Sequence, residues 1–264
     1  MRQREIRYLF LCLVALASQG VLEAQETPEP LFTSRDALLA GGFLLGAISL
    51  VPADVALAEV VQDSARQDDP LLRAGAGFLR FLAYPGSLGV TGSLYAAGHF
   101  LERSEMAAVG LHATEAIALA VGATLLAKGL VGRARPAVDV TRPFDVGLVR
   151  GFLDGRYRSF PSGHTTAAFA LAAAMTNEMA YIDPELRVPI GVALYSVASL
   201  IGASRMYHNE HWASDIVIGA AIGSFAGWKV VRYHRTRPDN RIDETFLPQN
   251  AEKPVIRLQW SIPL

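Results

Sequence analysis

The sequence predicts an all-α protein organised as a bundle of six helices. Apolar residues make up 51% of the 264 residues, and they are concentrated in six runs separated by polar segments. These runs are rich in Ala, Gly and Leu, and they lack the alternation of apolar and polar residues that is typical of strands. Turn signals at regular short spacing are also missing, so a helical bundle is favoured over a β-sandwich or a β-barrel.

The six apolar runs give the predicted helices in order: 37–53, 81–101, 106–127, 165–177, 188–204 and 212–228. A membrane-spanning helix needs about 17 to 25 residues, and the lengths of several runs are at the lower end of this range. Glu115 interrupts the third run and Glu178 ends the fourth. Small residues recur in GGFLLG and GAAIGSFAG, where they let helix backbones approach closely. We therefore expect a membrane-associated bundle in which some helices are short, tilted or buried.

The segments outside the bundle divide the chain further. Residues 1–24 begin with the basic MRQREIR and continue with the apolar YLFLCLVAL, which resembles a secretory signal peptide, with an uncleaved first membrane segment as the alternative. Residues 25–36 form a polar linker, 37–235 the helical-bundle domain and 236–264 a C-terminal tail. We expect this tail to be irregular, apart from one strand or extended segment in VIRLQWSIPL, and assign it no chemistry.

Charge and cysteine content exclude some classes of function. The formal net charge is −1, so the summed charge does not indicate a nucleic-acid-binding protein, and any anion site must come from local clustering. The single cysteine, Cys12, leaves the rest of the chain without a disulfide or a thiolate metal ligand. The last run ends in WKVVRYHRTRP, which favours the cytoplasmic side if that run spans a membrane, although a basic helix C-terminus is also ordinary.

The first candidate motif is KGLVGRARP, from Lys128 to Pro136. It opens a long connection rich in Arg, Asp, Gly and Pro, and connections of this length are usually functional or disordered. Gly129, Gly132 and Pro136 disfavour an unbroken helix through the motif. By itself the motif also fits a helix end whose cations extend to the surface.

The second candidate motif is SFPSGHTTAAFA, from Ser159 to Ala170. Pro161 stops the preceding segment, Ser162 is a good helix N-cap, and TTAAFALAAAM continues as helix. This places Gly163 and His164 in a first helical turn, where free N–H groups and the helix dipole attract an anion such as phosphate. A capped helix start without further function is the alternative.

The third candidate motif is SRMYHNEHWASD, from Ser204 to Asp215. His211 and Asp215 are four residues apart, so the carboxylate can orient the imidazole if a helix begins near Trp212. We expect one helix to end near Arg205, a bend through MYHNE and a new helix opening at His211. A metal site is disfavoured, because the order His-Asn-Glu-His differs from the HExxH pattern of zinc hydrolases.

Together the three motifs resemble a known family. The order KxxxxxxRP, PSGH and SRxxxxxHxxxD is similar to the signature of the type-2 phosphatidate phosphatase and vanadium haloperoxidase superfamily. The resemblance implies that family's six-helix bundle and these site residues: Lys128, Arg135, Ser162, Gly163, His164, Arg205, His211 and Asp215.

The resemblance also implies a role for each site residue. His211 would attack phosphorus and form a phosphohistidine, and Asp215 would hold its ring in the reactive tautomer. His164 would protonate the leaving oxygen and later activate water. The phosphate oxygens would be bound by Lys128, Arg135, Arg205, Ser162 and the Gly163 backbone N–H. His208 and Glu210 are not signature positions and are interpreted as bend residues near the pocket mouth, and His112 and Glu115 as bundle or surface positions.

The resemblance implies a metal-independent phosphatase that acts on a phosphomonoester or diphosphate. The leading candidate substrate is a lipid, such as phosphatidate or a polyprenyl diphosphate. A soluble periplasmic phosphatase of broad specificity is the alternative. A vanadium haloperoxidase ranks third, because those chains are typically much longer. No cofactor is expected, and vanadate is expected to bind as a phosphate mimic. No nucleic acid partner is predicted.

The expected location is a bacterial-type cell envelope, either the inner membrane with a periplasm-facing site or the periplasm. Six spanning helices with a cytoplasmic basic tail require the chain before residue 37 to start in the cytoplasm, whereas a cleaved signal peptide would start it outside. The conflict is resolved if one run does not span the membrane, if the N-terminal segment and its neighbour are misassigned, or if the protein is not embedded; the marginal lengths of the runs favour the first.

Overall fold

The computed structural model describes residues 30–248 of the chain, which are largely helical and contain no strand. The predicted signal peptide and the predicted extended segment VIRLQWSIPL lie outside the described residues. The helices are α1 (Ser34–Val61), α2 (Ser64–Asp68), α3 (Pro70–Phe81), α4 (Ser87–Phe100), α5 (Ser104–Val131), α6 (Arg150–Leu153), α7 (Gly163–Ile182), α8 (Pro184–Tyr207), α9 (Ala213–Thr236) and α10 (Arg241–Phe246).

The all-α prediction is confirmed, and each predicted run falls on a long helix. The second run starts at the last residue of α3 and passes through a π-helical turn, Leu82–Gly86, which joins α3 to α4. Pro85 lies inside this turn and lacks the N–H that a regular helix would use, which explains the local change of hydrogen bonding. Helix α1 continues beyond the first predicted run to Val61.

The interpretation of the tail as irregular was wrong for residues 241–246. Asn240 begins α10 as its N-cap, because its side chain accepts a hydrogen bond from the Asp243 N–H at 2.9 Å. Capping of this kind satisfies an N–H group that has no partner inside the helix. The cap places Asp243 against the bundle.

Helix α7 lies at the centre of the bundle and packs against α5, α8 and α9. Its alanines Ala167, Ala170 and Ala174 are fully buried, and α9 faces them with glycines. A Cβ atom added at Gly223 would lie 2.3 Å from the carbonyl oxygen of Thr166, a distance that no side chain can occupy. The GAAIGSFAG segment therefore permits the close backbone approach that its small residues predict.

Four helices of the described part of the chain, α1, α5, α8 and α9, are long and apolar enough to cross a membrane. Helix α1 leaves large apolar side chains exposed, for example Leu38 at 77% and Leu45 at 67%. Exposed apolar surface of this extent marks contact with lipid or with another protein. The chain thus has the helices of a membrane-associated protein.

Candidate active site

The three motifs meet at one end of the bundle. Helix α5 ends there after Lys128, α7 begins there at Gly163, and α8 ends where α9 begins. The Ser162 N–H donates to the Asp215 carbonyl at 3.1 Å, and a Cβ added at Gly163 would lie 3.6 Å from Cε of Lys128. Segments far apart in sequence therefore form one polar cluster.

The first motif ends α5, as its Gly residues predict. Gly132 has φ +58° and its N–H donates to the Lys128 carbonyl at 3.2 Å, which is the left-handed C-terminal cap that glycine favours. The buried Lys128 ammonium donates to the carbonyls of Arg158, at 2.6 Å, and Ser159, at 3.4 Å. Lys128 is thereby fixed to the segment that precedes the second motif, while Arg135 lies beyond the helix.

The second motif begins α7, with Ser162 at the N-cap position. The Ser162 hydroxyl does not cap the helix. It accepts a hydrogen bond from Thr165 Oγ1 at 2.8 Å instead. The His164 ring meets the Tyr84 ring edge-on, with centroids 4.8 Å apart, and a Cβ at Gly163 would lie 2.7 Å from the Tyr84 hydroxyl oxygen. Sequence reasoning missed Tyr84, which reaches the cluster from the π-helical turn.

The third motif forms the predicted bend. Helix α8 ends at Tyr207, Asn209 takes a left-handed conformation with φ +57°, and α9 begins at Ala213. The His208 ring turns back to the backbone, with Nδ1 2.6 Å from the Ser204 carbonyl oxygen. It is therefore held by its own helix end.

Glu210 contacts several cations of the cluster and is more than a residue of the bend. Its carboxylate forms an ion pair with the fully buried Arg205 and lies 3.5 Å from Arg135 and 4.0 Å from Arg80. A carboxylate is an oxyanion, as a phosphate is, and both suit guanidinium groups. Glu210 is thus paired with the same arginine side chains that the resemblance assigns to phosphate binding.

His211 and Asp215 are both buried, and His211 Nδ1 lies 3.7 Å from Asp215 Oδ2. The Asp215 carboxylate is held from three other directions. Oδ2 accepts from the Trp212 N–H at 2.9 Å and from Ser159 Oγ at 2.5 Å, and Oδ1 accepts from Arg133 at 2.6 Å. These bonds fix the carboxylate beside the imidazole.

Arg133 connects this carboxylate to a second buried one. Its Nη2 donates to Asp54 Oδ2 at 2.8 Å, and Asp54 also accepts from the Ser214 hydroxyl at 2.6 Å. Sequence reasoning missed both Arg133 and Asp54. An ionisable residue inside an apolar run was a usable signal for Asp54, whereas nothing in GRARP distinguishes Arg133 from Arg135.

Residues 110–239 match the model of the PAP2 superfamily. This part of the chain belongs to the PAP2 superfamily. All the site residues that the motifs predict lie inside the matched PAP2 region. Tyr84 and Asp54 lie outside it and reach the cluster from earlier helices.

Two curated relatives match parts of the chain. A lipid A 1-phosphatase of Porphyromonas gingivalis is 46% identical over 69 residues, which cover 26% of this chain and 15% of that protein. A probable diacylglycerol pyrophosphate phosphatase 1 of Schizosaccharomyces pombe is 30% identical over 129 residues, which cover 40% of this chain and 46% of that protein. The matches therefore span less than half the length of either relative.

One solved structure shares the fold. It is a transmembrane PAP2 type phosphatidylglycerolphosphate phosphatase from Bacillus subtilis, aligned with a TM-score of 0.56 and 20% identity over 79% of this chain and 99% of that one. At this identity the likeness concerns the fold, and it agrees with the predicted helical bundle.

Burial and neighbouring charges in the polar cluster keep His164 and His211 neutral at pH 7. Burial lowers the pKa of His211 to about 4, and the charge of Lys128 adds to this effect. Burial and the charge of Arg205 lower the pKa of His164 to about 3. For Glu210, burial opposes ionisation, but the Arg205 guanidinium outweighs it and holds the pKa of this carboxyl below its usual range.

Several guanidinium donors in the cluster have no hydrogen-bond partner among residues 30–248. They are the buried Nε atoms of Arg135 and Arg205 and Nη1 of Arg205. Buried donors of this kind are rare in proteins and suggest a ligand. With a neutral imidazole beside them, the cluster can bind a tetrahedral oxyanion and present a nucleophile to it.

An apolar cavity of about 910 Å³ lies apart from this cluster. It is lined by Phe32 before α1, by residues of α1 such as Leu39, and by residues of α9 such as Phe225 and Trp228, with further residues from α5, α7 and α8. Its surface is mainly apolar and none of its lining residues belongs to the three motifs, so the polar cluster and not this cavity is the candidate active site.

Proposed function

We propose that this chain is a phosphatase that hydrolyses a phosphomonoester or diphosphate of a lipid through a phosphohistidine at His211. The observation that carries the proposal is the neutral, buried His211 beside the fixed Asp215 carboxylate and close to the charges of Lys128 and Arg205. A nucleophile in its reactive protonation state and an anion-binding group are thus brought together.

In the first step His211 Nε2 attacks phosphorus while Nδ1–H faces Asp215. The N–P bond forms, the bond from phosphorus to the leaving oxygen breaks, and His164 gives its proton to that oxygen. The pKa of free His164 is low, so the negative charge of the bound phosphate has to raise it before the proton is available. Lys128, Arg135 and Arg205, with Ser162 and the Gly163 N–H, bind the oxygens on which charge develops.

In the second step His164, now neutral, takes a proton from water as the water oxygen attacks phosphorus. The N–P bond breaks and inorganic phosphate leaves, which restores neutral His211. This sequence needs no metal at phosphorus, because the surrounding cations and N–H groups stabilise the developing charge.

A lipid substrate is supported by two observations. The relatives are named for lipid A and for diacylglycerol pyrophosphate, and four helices of the described residues have the length and apolar character of membrane spans. A soluble phosphatase of broad specificity, the alternative, would not need these helices. The head group of a membrane lipid would reach the cluster from the bilayer surface.

We further propose that the site faces the periplasm. The basic residues Lys229, Arg232, Arg235 and Arg237 follow the apolar part of α9 and favour the cytoplasmic side, whereas the cluster lies at the other end of this helix. Helix α1 begins near that basic end, since the Lys229 ammonium donates to Asp36 at 2.7 Å. Labelling of single cysteines with a membrane-impermeant reagent in intact cells tests this orientation.

The activity is tested by phosphate release from phosphatidate, a polyprenyl diphosphate and a small aryl phosphate. We expect release from a lipid substrate, and its loss in His211→Ala. His208→Ala is the matched control, because His208 belongs to the same bend but its ring faces the α8 backbone. Robust phosphate release by His211→Ala would refute the mechanism, and activity on the aryl phosphate alone would refute the lipid assignment.

A further inference from the structure

A second cluster of titratable residues lies at the opposite end of the bundle from the candidate active site. It contains His112 of α5, His234 of α9 and Asp243 of α10. Both histidines are 2% exposed. Along α5, His112 is roughly 24 Å from Lys128 at 1.5 Å per residue, so the cluster cannot take part in the chemistry at phosphorus.

The ligand atoms of the three side chains lie close together. Asp243 Oδ1 lies 3.0 Å from His112 Nε2 and 2.8 Å from His234 Nδ1. The two imidazole rings are stacked with centroids 3.8 Å apart, and all three ligand atoms lie within 4.8 Å of one another. Two ring nitrogens and one carboxylate oxygen thus share a small buried volume.

The other nitrogen of each ring faces a different carboxylate. His112 Nδ1 lies 2.6 Å from Glu178, and His234 Nε2 lies 2.8 Å from Glu115. A carboxylate only accepts, so each of these ring nitrogens carries the N–H. In a neutral imidazole the remaining nitrogen then has a lone pair, and in both rings that nitrogen points toward Asp243. Histidines that bind metals are held by outer carboxylates in this way.

The buried His234 Nδ1 has no hydrogen bond of acceptable geometry within the described part of the chain. Asp243 is also a carboxylate that only accepts, so the two ring nitrogens that face it either carry further protons or, in neutral rings, share a cation with it. Zn²⁺ binds imidazole nitrogen at about 2.0 to 2.1 Å and carboxylate oxygen at about 2.0 to 2.2 Å. Tetrahedral ligand atoms at those lengths lie about 3.3 Å apart, so binding would move Asp243 Oδ1 slightly away from both ring nitrogens and tilt the stacked rings toward the cation.

We propose that His112, His234 and Asp243 bind a divalent transition-metal cation of the Zn²⁺ class, with water completing the coordination. Glu178 and Glu115 orient the two imidazoles, and Arg235 Nε donates to Glu178 at 3.0 Å and balances its charge. The cation fastens α10 to α5 and α9. Its role is structural, and it does not depend on the proposed phosphatase activity.

The test uses the full chain in detergent, without a polyhistidine tag, after removal of metal with a chelator. Elemental analysis after addition of Zn²⁺ and gel filtration is expected to find about one Zn²⁺ per chain. Asp243→Ala, His112→Ala and His234→Ala are expected to lose it, and Glu115→Gln is expected to bind Zn²⁺ about 10- to 100-fold more weakly. His99→Ala is the matched control, since His99 is an exposed histidine of α4, and it should keep the metal.

Thermal unfolding provides a second measurement in case a histidine variant does not fold. Zn²⁺ that binds the folded chain raises its unfolding temperature, so the wild type and His99→Ala should respond and Asp243→Ala should not. The proposal would be overturned if the wild type contained no more Zn²⁺ than Asp243→Ala. That result would indicate that two bound protons hold the cluster together. Phosphate release measured on the same samples keeps this result separate from the proposed function.

Discussion

Arg133 donates from Nη1 to Asp215 at 2.6 Å and thereby fixes the carboxylate that faces His211. Its other terminal nitrogen donates to Asp54 at 2.8 Å, so a residue of α1 supports the candidate active site without touching it. Buried ion pairs of this kind are costly to break from one side, because the remaining charge loses its partner.

We expect Asp54→Asn to lower kcat about 10-fold or more with little change in KM. The amide keeps the size of the side chain but weakens the hold on Arg133, which then no longer fixes Asp215. Steady-state kinetics separates the two parameters. Glu59→Gln, an exposed position on the same helix, is the control. Equal loss in both variants, or a change in KM alone, would show that Asp54 does not position the site.

Replacement of His164 by Ala is expected to slow phosphate release by about 10² to 10⁴, the usual contribution of general acid–base help. The loss should be smaller for an aryl phosphate whose leaving oxygen needs no proton. Comparison of an alkyl and an activated aryl substrate measures this difference. An equal loss for both substrates would argue against proton donation by His164.

Replacement of Glu210 by Gln is expected to strengthen inhibition by vanadate by several-fold. The Glu210 carboxylate pairs with Arg205 and Arg135 and therefore competes with an incoming oxyanion. Removal of its charge leaves these guanidinium groups available. The inhibition constant for vanadate measures the effect, and weaker inhibition in the variant would mean that Glu210 positions the arginines instead of competing for them.

The pH dependence follows from the lowered pKa of His211. Because the neutral form persists down to about pH 4, kcat/KM should stay high below the usual histidine pKa of about 6.5 and fall near pH 4. The same shift lowers stability in acid, since the unfolded chain binds a proton first as the pH falls from about 6.5. A rate profile between pH 3.5 and 8 is the measurement. A fall of kcat/KM centred near pH 6.5 would contradict a buried, neutral His211.

Sequence reasoning predicts well what is local. Gly132 ends α5, the bend separates α8 from α9, and the apolar runs become helices, because each depends on residues close in sequence. The sequence does not predict the roles of Arg133, Asp54 and Tyr84, because their contacts join segments that are tens of residues apart. Helix α10 was missed because it has only six residues, and its local signals are limited to the Asn240 cap and the acidic first turn.

Rapid-quench trapping with a substrate labelled in the transferred phosphate detects a phosphohistidine at His211. We expect up to one acid-labile, alkali-stable phosphate per chain, located by mass spectrometry on His211 and missing in His211→Ala. Turnover of the substrate with no labelled protein at any quench time, or a label on another residue, would contradict it.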